Sequence, residues 1–189
     1  MEFNDVVRRR HMVRDFDDRP IEPHVVERIL ANSLRGPSAG FAQGFDLLVL
    51  QGTDETARFW SATRAEDESR ERWSGIANAP VIVVLYPDQG AYLRRFSAPD
   101  KTSELQVPWW LVDTAFAAMI MLQSAVDAGL GAIFFRVNDA AGVSGEFGVP
   151  QGREPIGAVA IGHARAYRSS RSVARGRRPP EEMMHRGAW

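Results

Sequence analysis

The sequence predicts an α+β fold of stacked layers, and three observations carry that expectation. Apolar runs of strand length recur at 45–50, 79–86, 131–135 and 156–162, with helical patterns between them. One further apolar run, Trp109 to Ala128, is far longer than a strand and is dominated by helix formers. No internal repeat and no linker-like stretch divides the 189 residues. One domain over 1–189 is therefore expected, with a basic C-terminal arm at about 165–189.

Each element follows from local chemistry. Asn4 to Arg10 reads as a short helix with Asn4 as N-cap and Val6 and Val7 as apolar anchors. Pro23 to Leu34 reads as a second helix. Pro23 suits its first turn, and Val25, Val26, Ile29 and Leu30 recur at helical spacing. Gly36-Pro37-Ser38-Ala39-Gly40 ends it as a loop. Phe45 to Leu50 is a strand, and Asp54 to Trp73 a polar helix whose run Arg64 to Arg70 makes a solvated face. Ala79 to Tyr86 is apolar on both faces and so predicts a central strand. Residues 87–107, with Pro87, Gly90 and Pro99, read as irregular, mobile or substrate-facing.

The run from Trp109 to Ala128 could be taken for a membrane span. Asp113, Thr114, Gln123 and Ser124 interrupt it, whereas a span needs about 20 consecutive apolar residues. A helix apolar nearly all round is instead a buried one, packed on its own sheet and on a second subunit. Gly129 closes it as the C′ residue. Gly131 to Phe135 is a strand, Asn138 to Phe147 a short helix, and Ile156 to Gly162 the last core strand. Beyond Tyr167 the chain reads as an extended arm.

Composition narrows the function. A hydrophobic share of 44% allows a substantial core, and a net charge of -1 argues against a nucleic-acid binder. No cysteine is present, which excludes disulfides, thiolate metal sites and cysteine nucleophiles. The opening residues lack a signal-peptide pattern, so a cytoplasmic protein without membrane partners is expected. The four histidines are scattered and no metal-ligand spacing occurs, so no metal is expected. No dinucleotide-fold glycine fingerprint, P-loop or nucleophile elbow is found. No side chain is assigned a catalytic role, and any chemistry is expected to be a cofactor's.

Arginine clusters mark both ends of the chain: Arg9-Arg10-His11-Met12-Val13-Arg14-Asp15-Phe16, and Arg175-Gly176-Arg177-Arg178-Pro179-Pro180-Glu181-Glu182. A guanidinium matches phosphate bidentately and never loses its charge. Two such groups brought together would make a phosphate pocket. The bland alternatives are ion pairs of Arg10 and Arg14 with Asp15, Asp17 or Asp18, a solvated C-terminal arm, and a pair between Arg136 and Asp139. Lys101 is the only lysine among 23 basic residues. Arginine richness alone is therefore weak evidence, and position has to carry the argument.

The first cluster resembles the N-terminal R-x-S-x-R/K-x-F signature of the FMN-dependent nitroreductase family. Pro37-Ser38-Ala39-Gly40-Phe41-Ala42-Gln43-Gly44-Phe45 is similar to that family's A-P-S-x-x-N-x-Q-P-W segment. Val107 to Gly131 resembles its long central helix, and Arg175 to His185 its closing K/R-x-R-x-P-x-E-E-x-x-H tail. The four stand in order along nearly the whole chain.

The resemblance implies a layered α-β-α fold with a mixed central sheet, a long buried interface helix, and an interwoven homodimer holding FMN between subunits. It implies FMN contacts from Arg10, His11, Met12 and Arg14, and phosphate contacts from Arg175 and Arg177. Pro37, Ser38, Ala39 and Phe41 would come from the other subunit. Phe134, Phe135 and Arg136 would lie beside the flavin ring, where a backbone N–H can meet N5. Arg72 falls loosely at a position facing the ribityl chain. The implied activity is a ping-pong transfer of hydride from NADPH or NADH to nitroaromatic or quinone-like small-molecule acceptors. A specialised reductase, dehydrogenase or reductive dehalogenase of the same fold, and a flavin-storage protein without turnover, are the alternatives. The chain departs from the pattern at Met12 (usually serine), Phe41 (usually asparagine) and Gly44 (commonly proline). Core packing is the plain alternative for Met12, Phe41, Phe134 and Phe135.

Overall fold

The computed structural model describes residues 1–63, 75–101, 106–165 and 173–189. Four strands, β1 (Phe45–Gln51), β2 (Val81–Pro87), β3 (Gly131–Phe135) and β4 (Gly157–Gly162), form one sheet in the order β1-β2-β4-β3. Among the described residues the α-helices are α1 (Phe3–Arg9), α2 (Pro23–Ser33), α3 (Thr53–Ala62), α4 (Gln89–Phe96), α5 (Trp109–Asp127) and α6 (Ala140–Glu146). Every strand pair is antiparallel, with Leu48 opposite Val84, Val84 opposite Ala158, and Ile133 opposite Ala160. The parallel part of the expected mixed sheet is reduced to an isolated bridge between Met12 and Ala132, where Val13 N–H donates to the Ala132 carbonyl at 3.0 Å.

Strand alternation sorts the core into two layers. Ile82, Val84, Tyr86, Ile133, Phe135, Ala158 and Ala160 pack with Phe59 of α3, Val143 of α6 and the loop residues Val13, Phe16 and Ile76. Val81, Val83, Leu85, Ala132, Val159 and Ile161 pack with Val26 and Ile29 of α2 and with Ala118, Met121, Leu122 and Ala125 of α5. The result is the layered α-β-α arrangement. The inner strands β2 and β4 are buried on both faces, which is why 79–86 reads as a nearly continuous apolar run.

Helix α5 positions the site. Its buried stripe is Asp113, Thr114, Ala117, Ala118, Met121, Leu122 and Ala125, at three- and four-residue spacing. The Thr114 hydroxyl is satisfied by the Trp110 carbonyl. Gly129 follows the helix at φ +75°, a conformation that favours glycine. The helix is apolar all round but buried on only one side of the protomer: Leu111, Phe116 and Met119 are 41%, 42% and 46% exposed.

Several sequence expectations are corrected. The first helix begins at Phe3 behind Glu2, so Asn4 is not its cap, and Val7 points to solvent while Val6 is buried. Segment 87–107 is not irregular throughout, because Asp88 accepts the Ala91 N–H at 3.1 Å and starts α4. Residues 64–74, with Arg72 and the charged run, lie outside the described residues, as does Tyr167. Residues 173–189 are exposed and carry two short 3-10 turns, at Val173–Arg175 and Pro180–Glu182.

Candidate functional site

The first cluster is threaded between two apolar anchors. Val13 and Phe16 are buried, and each lies against a glycine. A Cβ on Gly131 would stand 2.7 Å from Val13, and one on Gly162 would stand 2.9 Å from the Phe16 ring. These anchors lay residues 12 and 13 along the outer edge of β3 and tie Phe16 to Ala164 just past β4. Arg10 is half-buried and Arg14 exposed. Arg14 Nη1 donates to the Met12 carbonyl at 3.2 Å. Among the described residues neither Arg10 nor Arg14 forms an ion pair, and Asp17 lies 3.8 Å from Arg19 instead. The ion-pair alternative therefore does not describe this cluster. Met12 is half-buried at the sheet edge and touches both core layers. His11 is exposed, with Nδ1 2.8 Å from the Arg9 carbonyl oxygen.

The loop from Pro37 to Gly44 is held from beneath. Ala39 N–H donates to Asp113 Oδ2 at 2.7 Å, and the Tyr92 hydroxyl donates to the same oxygen at 2.6 Å. Ser38 Oγ accepts the Gln43 N–H at 2.8 Å and lies 3.4 Å from the Tyr92 hydroxyl. Arg95 Nε donates to the Gly40 carbonyl at 2.8 Å, while its other nitrogens grip Asp100 at 2.8 and 2.7 Å. Burial first, and then the bond to Asp113, push the Tyr92 phenol up to about 12. Gly44 stands where proline is common because nothing larger fits: a Cβ there would meet the Tyr92 ring at 2.5 Å. The 3-10 turn Ala39–Phe41 places Gly40, Phe41 and Gln43 at φ +62°, +57° and +48°. Phe41 is 77% exposed, so it is not a core residue.

The third part is the end of β3. The Phe134 ring lies over Gly157, where a Cβ would approach it to 2.5 Å. Phe135 is buried, stacked on Trp60 at 5.6 Å and edge-on to Phe59 at 6.2 Å. Its ring packs in the core, the plain alternative for this residue. Arg136 is exposed and does not pair with Asp139, whose carboxylate instead accepts the Gly142 N–H at 2.7 Å and caps α6.

Within one chain these parts do not all meet. Met12 stands beside Ala132, and Arg136 follows about 13 Å further along β3. His11 and Val13 line a cavity of about 280 Å³ with Val126, at the C-terminal end of α5. The loop 37–44 hangs on Asp113, near the N-terminal end, roughly 20 Å away along the helix. Arg175 and Arg177 are exposed, and no hydrogen bond or ion pair is described for either; the neighbouring Arg178 pairs with Glu182 at 3.3 Å. The two arginine clusters are thus not brought together by described contacts of this protomer. Ten of the described arginines stand without a carboxylate partner, and Arg10, Arg14, Arg136, Arg175 and Arg177 are among them.

The sequence reading missed Tyr92, Arg95 and the role of Asp113. The signal for Asp113 was present, as a lone carboxylate in an apolar helix. Tyr92 and Arg95 carried none, because they were read as part of an irregular segment.

Comparison with known proteins places the fold and the family. A nitroreductase family protein of Clostridium difficile 630 superposes over 100% of both chains with a TM-score of 0.76 at 20% identity. A candidate nitroreductase of Desulfovibrio desulfuricans, solved in complex with FMN, matches 100% of this chain and 98% of its own at 21% identity and a TM-score of 0.76. Nitroreductase A of Vibrio parahaemolyticus RIMD 2210633 matches 99% of this chain and 76% of its own at 19% identity and a TM-score of 0.75. At these identities the likeness speaks for the fold. The sequence pattern of the nitroreductase family itself matches residues 7–163, most of the chain, and the chain therefore belongs to the nitroreductase family.

Proposed function

We propose that this protein is an FMN-dependent oxidoreductase that draws hydride from NADPH or NADH and reduces nitroaromatic, quinone-like or related acceptors. The observation that carries this reading is the separation of the half-sites. Arg10 and Arg14 flank the residues that lie along β3 near the C-terminal end of α5, and the braced loop with exposed Phe41 lies at the other end. A two-fold dimer across the exposed Leu111–Phe116–Met119 side of α5 would set the loop of one protomer over the arginines of its partner. Such a homodimer, interwoven by the C-terminal arms, carries two sites.

The donor set fits FMN. Arg10, Arg14, Arg175 and Arg177 are fixed cations without carboxylate partners among the described residues, suited to a phosphate dianion. Phe41 and the half-buried Phe134 suit a flat ring. When bound, FMN supplies the redox chemistry by taking hydride from the nicotinamide and giving it to the acceptor in a second, separate encounter. The protein's part is to bind and orient. Arg10 and Arg14 would hold the phosphate at the β3 edge, together with Arg175 and Arg177 of the C-terminal arm. The backbone at Phe134–Arg136 offers N–H donors toward the ring edge. An Arg136 guanidinium beside the ring would supply a fixed positive charge there. Met12, apolar where a hydroxyl is usual, packs against the core at the sheet edge and offers no side-chain hydrogen bond. Phe41 of the other protomer narrows the space above the ring and excludes water. The family match and the FMN complex of the Desulfovibrio relative support this reading. So does the name of a Parabacteroides distasonis relative, a candidate NADH dehydrogenase/NAD(P)H nitroreductase.

Quenching of FMN fluorescence by the apoprotein tests the reading. Saturation at one FMN per chain in a dimer is expected. A monomer that leaves the fluorescence unchanged would overturn it.

A further inference from the structure

The buried carboxylate on α5 points to a positioning role. Asp113 is 3% exposed on an otherwise largely apolar helix face, where a charge is costly unless it is fully used. It does not cap its own helix, which starts behind Pro108 without a side-chain cap. Both hydrogen bonds described for it serve the loop. Oδ2 takes the Ala39 N–H directly, and it takes the hydroxyl of Tyr92, which also reaches Ser38. Ser38 in turn receives the Gln43 N–H, so one carboxylate oxygen reaches both ends of the turn.

That turn needs holding. Phe41 and Gln43 adopt positive φ, a region that side chains other than glycine occupy at a cost, and such strain persists only where the surroundings fix it. What the strain achieves here is the outward presentation of Phe41. We infer that Asp113, with Tyr92 as its relay, is the positioning residue that locks the 38–43 turn so that Phe41 is presented to the flavin ring of the opposite protomer. This inference rests on the proposed flavin function. It assigns no chemistry to Asp113, which acts only through the loop.

The test is a double-mutant cycle read as FMN affinity of the full-length protein. The background variants are Asp113→Asn and Tyr92→Phe, the second of which deletes one hydroxyl and keeps the ring that packs on Gly44. In the wild-type background Phe41→Ala is expected to weaken FMN binding about tenfold. In either background variant it is expected to cost less than about threefold, because the turn no longer holds the ring in place. Hydrogen exchange over 39–43 should rise at least about tenfold in both backgrounds while the sheet stays protected. A merely structural role would lower stability yet leave the cost of Phe41→Ala the same in all backgrounds, and that result overturns the inference. Unchanged exchange in Tyr92→Phe and Asp113→Asn overturns it too. If the wild-type protein takes up no FMN, the flavin reading itself falls, and the positioning role with it.

Discussion

At the scale of single residues, the account turns on arginines whose charge is not consumed within the chain. Seven of the described arginines meet a carboxylate, Arg58, Arg95 and Arg153 among them. Arg10, Arg14, Arg175 and Arg177 are among the ten that do not, and the motif resemblance singles these four out as proposed phosphate ligands. Arg14→Ala and Arg177→Ala are each expected to weaken FMN retention at least about tenfold, since a charge-assisted bond to phosphate contributes about 1.5–3 kcal/mol. Gel filtration followed by the visible spectrum of the protein peak checks this. Affinity unchanged in both variants would remove the phosphate assignment. Tyr92 supplies a pH dependence. Its phenol titrates at about 12 in the fold, against the usual value near 10, so the neutral form is favoured by folding. That contribution is complete below pH about 10 and is lost as pH rises toward about 12. Thermal melts should therefore show wild-type stability falling more steeply than that of Tyr92→Phe as pH rises above 10.

At the scale of elements, α5 and α4 divide the work. α5 separates the half-sites by its length, and α4 braces the loop between α2 and β1 through Arg95 and Tyr92. Gly44→Ala tests that packing, because its Cβ would overlap the Tyr92 ring and the Ala91 methyl at 2.5 and 2.9 Å. A loss of about 1–3 kcal/mol in denaturant unfolding is expected, the range of overpacked cores, with FMN affinity reduced alongside. Most of this scale was legible in the sequence. Strands β1 to β4 announced themselves as apolar runs between turn residues, and α5 by its length. α4 was not legible, since Pro87, Gly90 and Pro99 suggested a loop and the Asp88 cap is visible only in three dimensions. Among the proposed site residues, Arg10, Arg14 and the Pro37–Phe41 loop were singled out by motif spacing, which needs no contacts to be read. The sequence left core packing open for the Phe135 ring and could not decide it, because its partners Trp60 and Phe59 come from a helix far away in sequence. Asp113 was seen only as an interruption of an apolar run, because its purpose depends on Ala39 and Tyr92 folding onto it.

At the scale of the whole molecule, the proposed dimer has each protomer contribute halves to two different sites, with the outer side of α5 between them. Phe116→Glu or Met119→Glu would put charge on that side without disturbing the buried stripe, since both residues are more than 40% exposed. Analytical ultracentrifugation should then find monomer, and the same samples should have lost FMN. A monomer that retains full FMN affinity would show that the loop of a second chain is not needed. The claim that binds all three scales is that this assembly moves hydride through bound FMN. Anaerobic titration of the FMN-loaded dimer with NADPH, then with NADH, followed by a nitroaromatic, tests it most directly. The account predicts that at least one nicotinamide bleaches the flavin band at about one equivalent per site, and that the acceptor restores it. A flavin that stays oxidised under excess of both nucleotides would contradict the account.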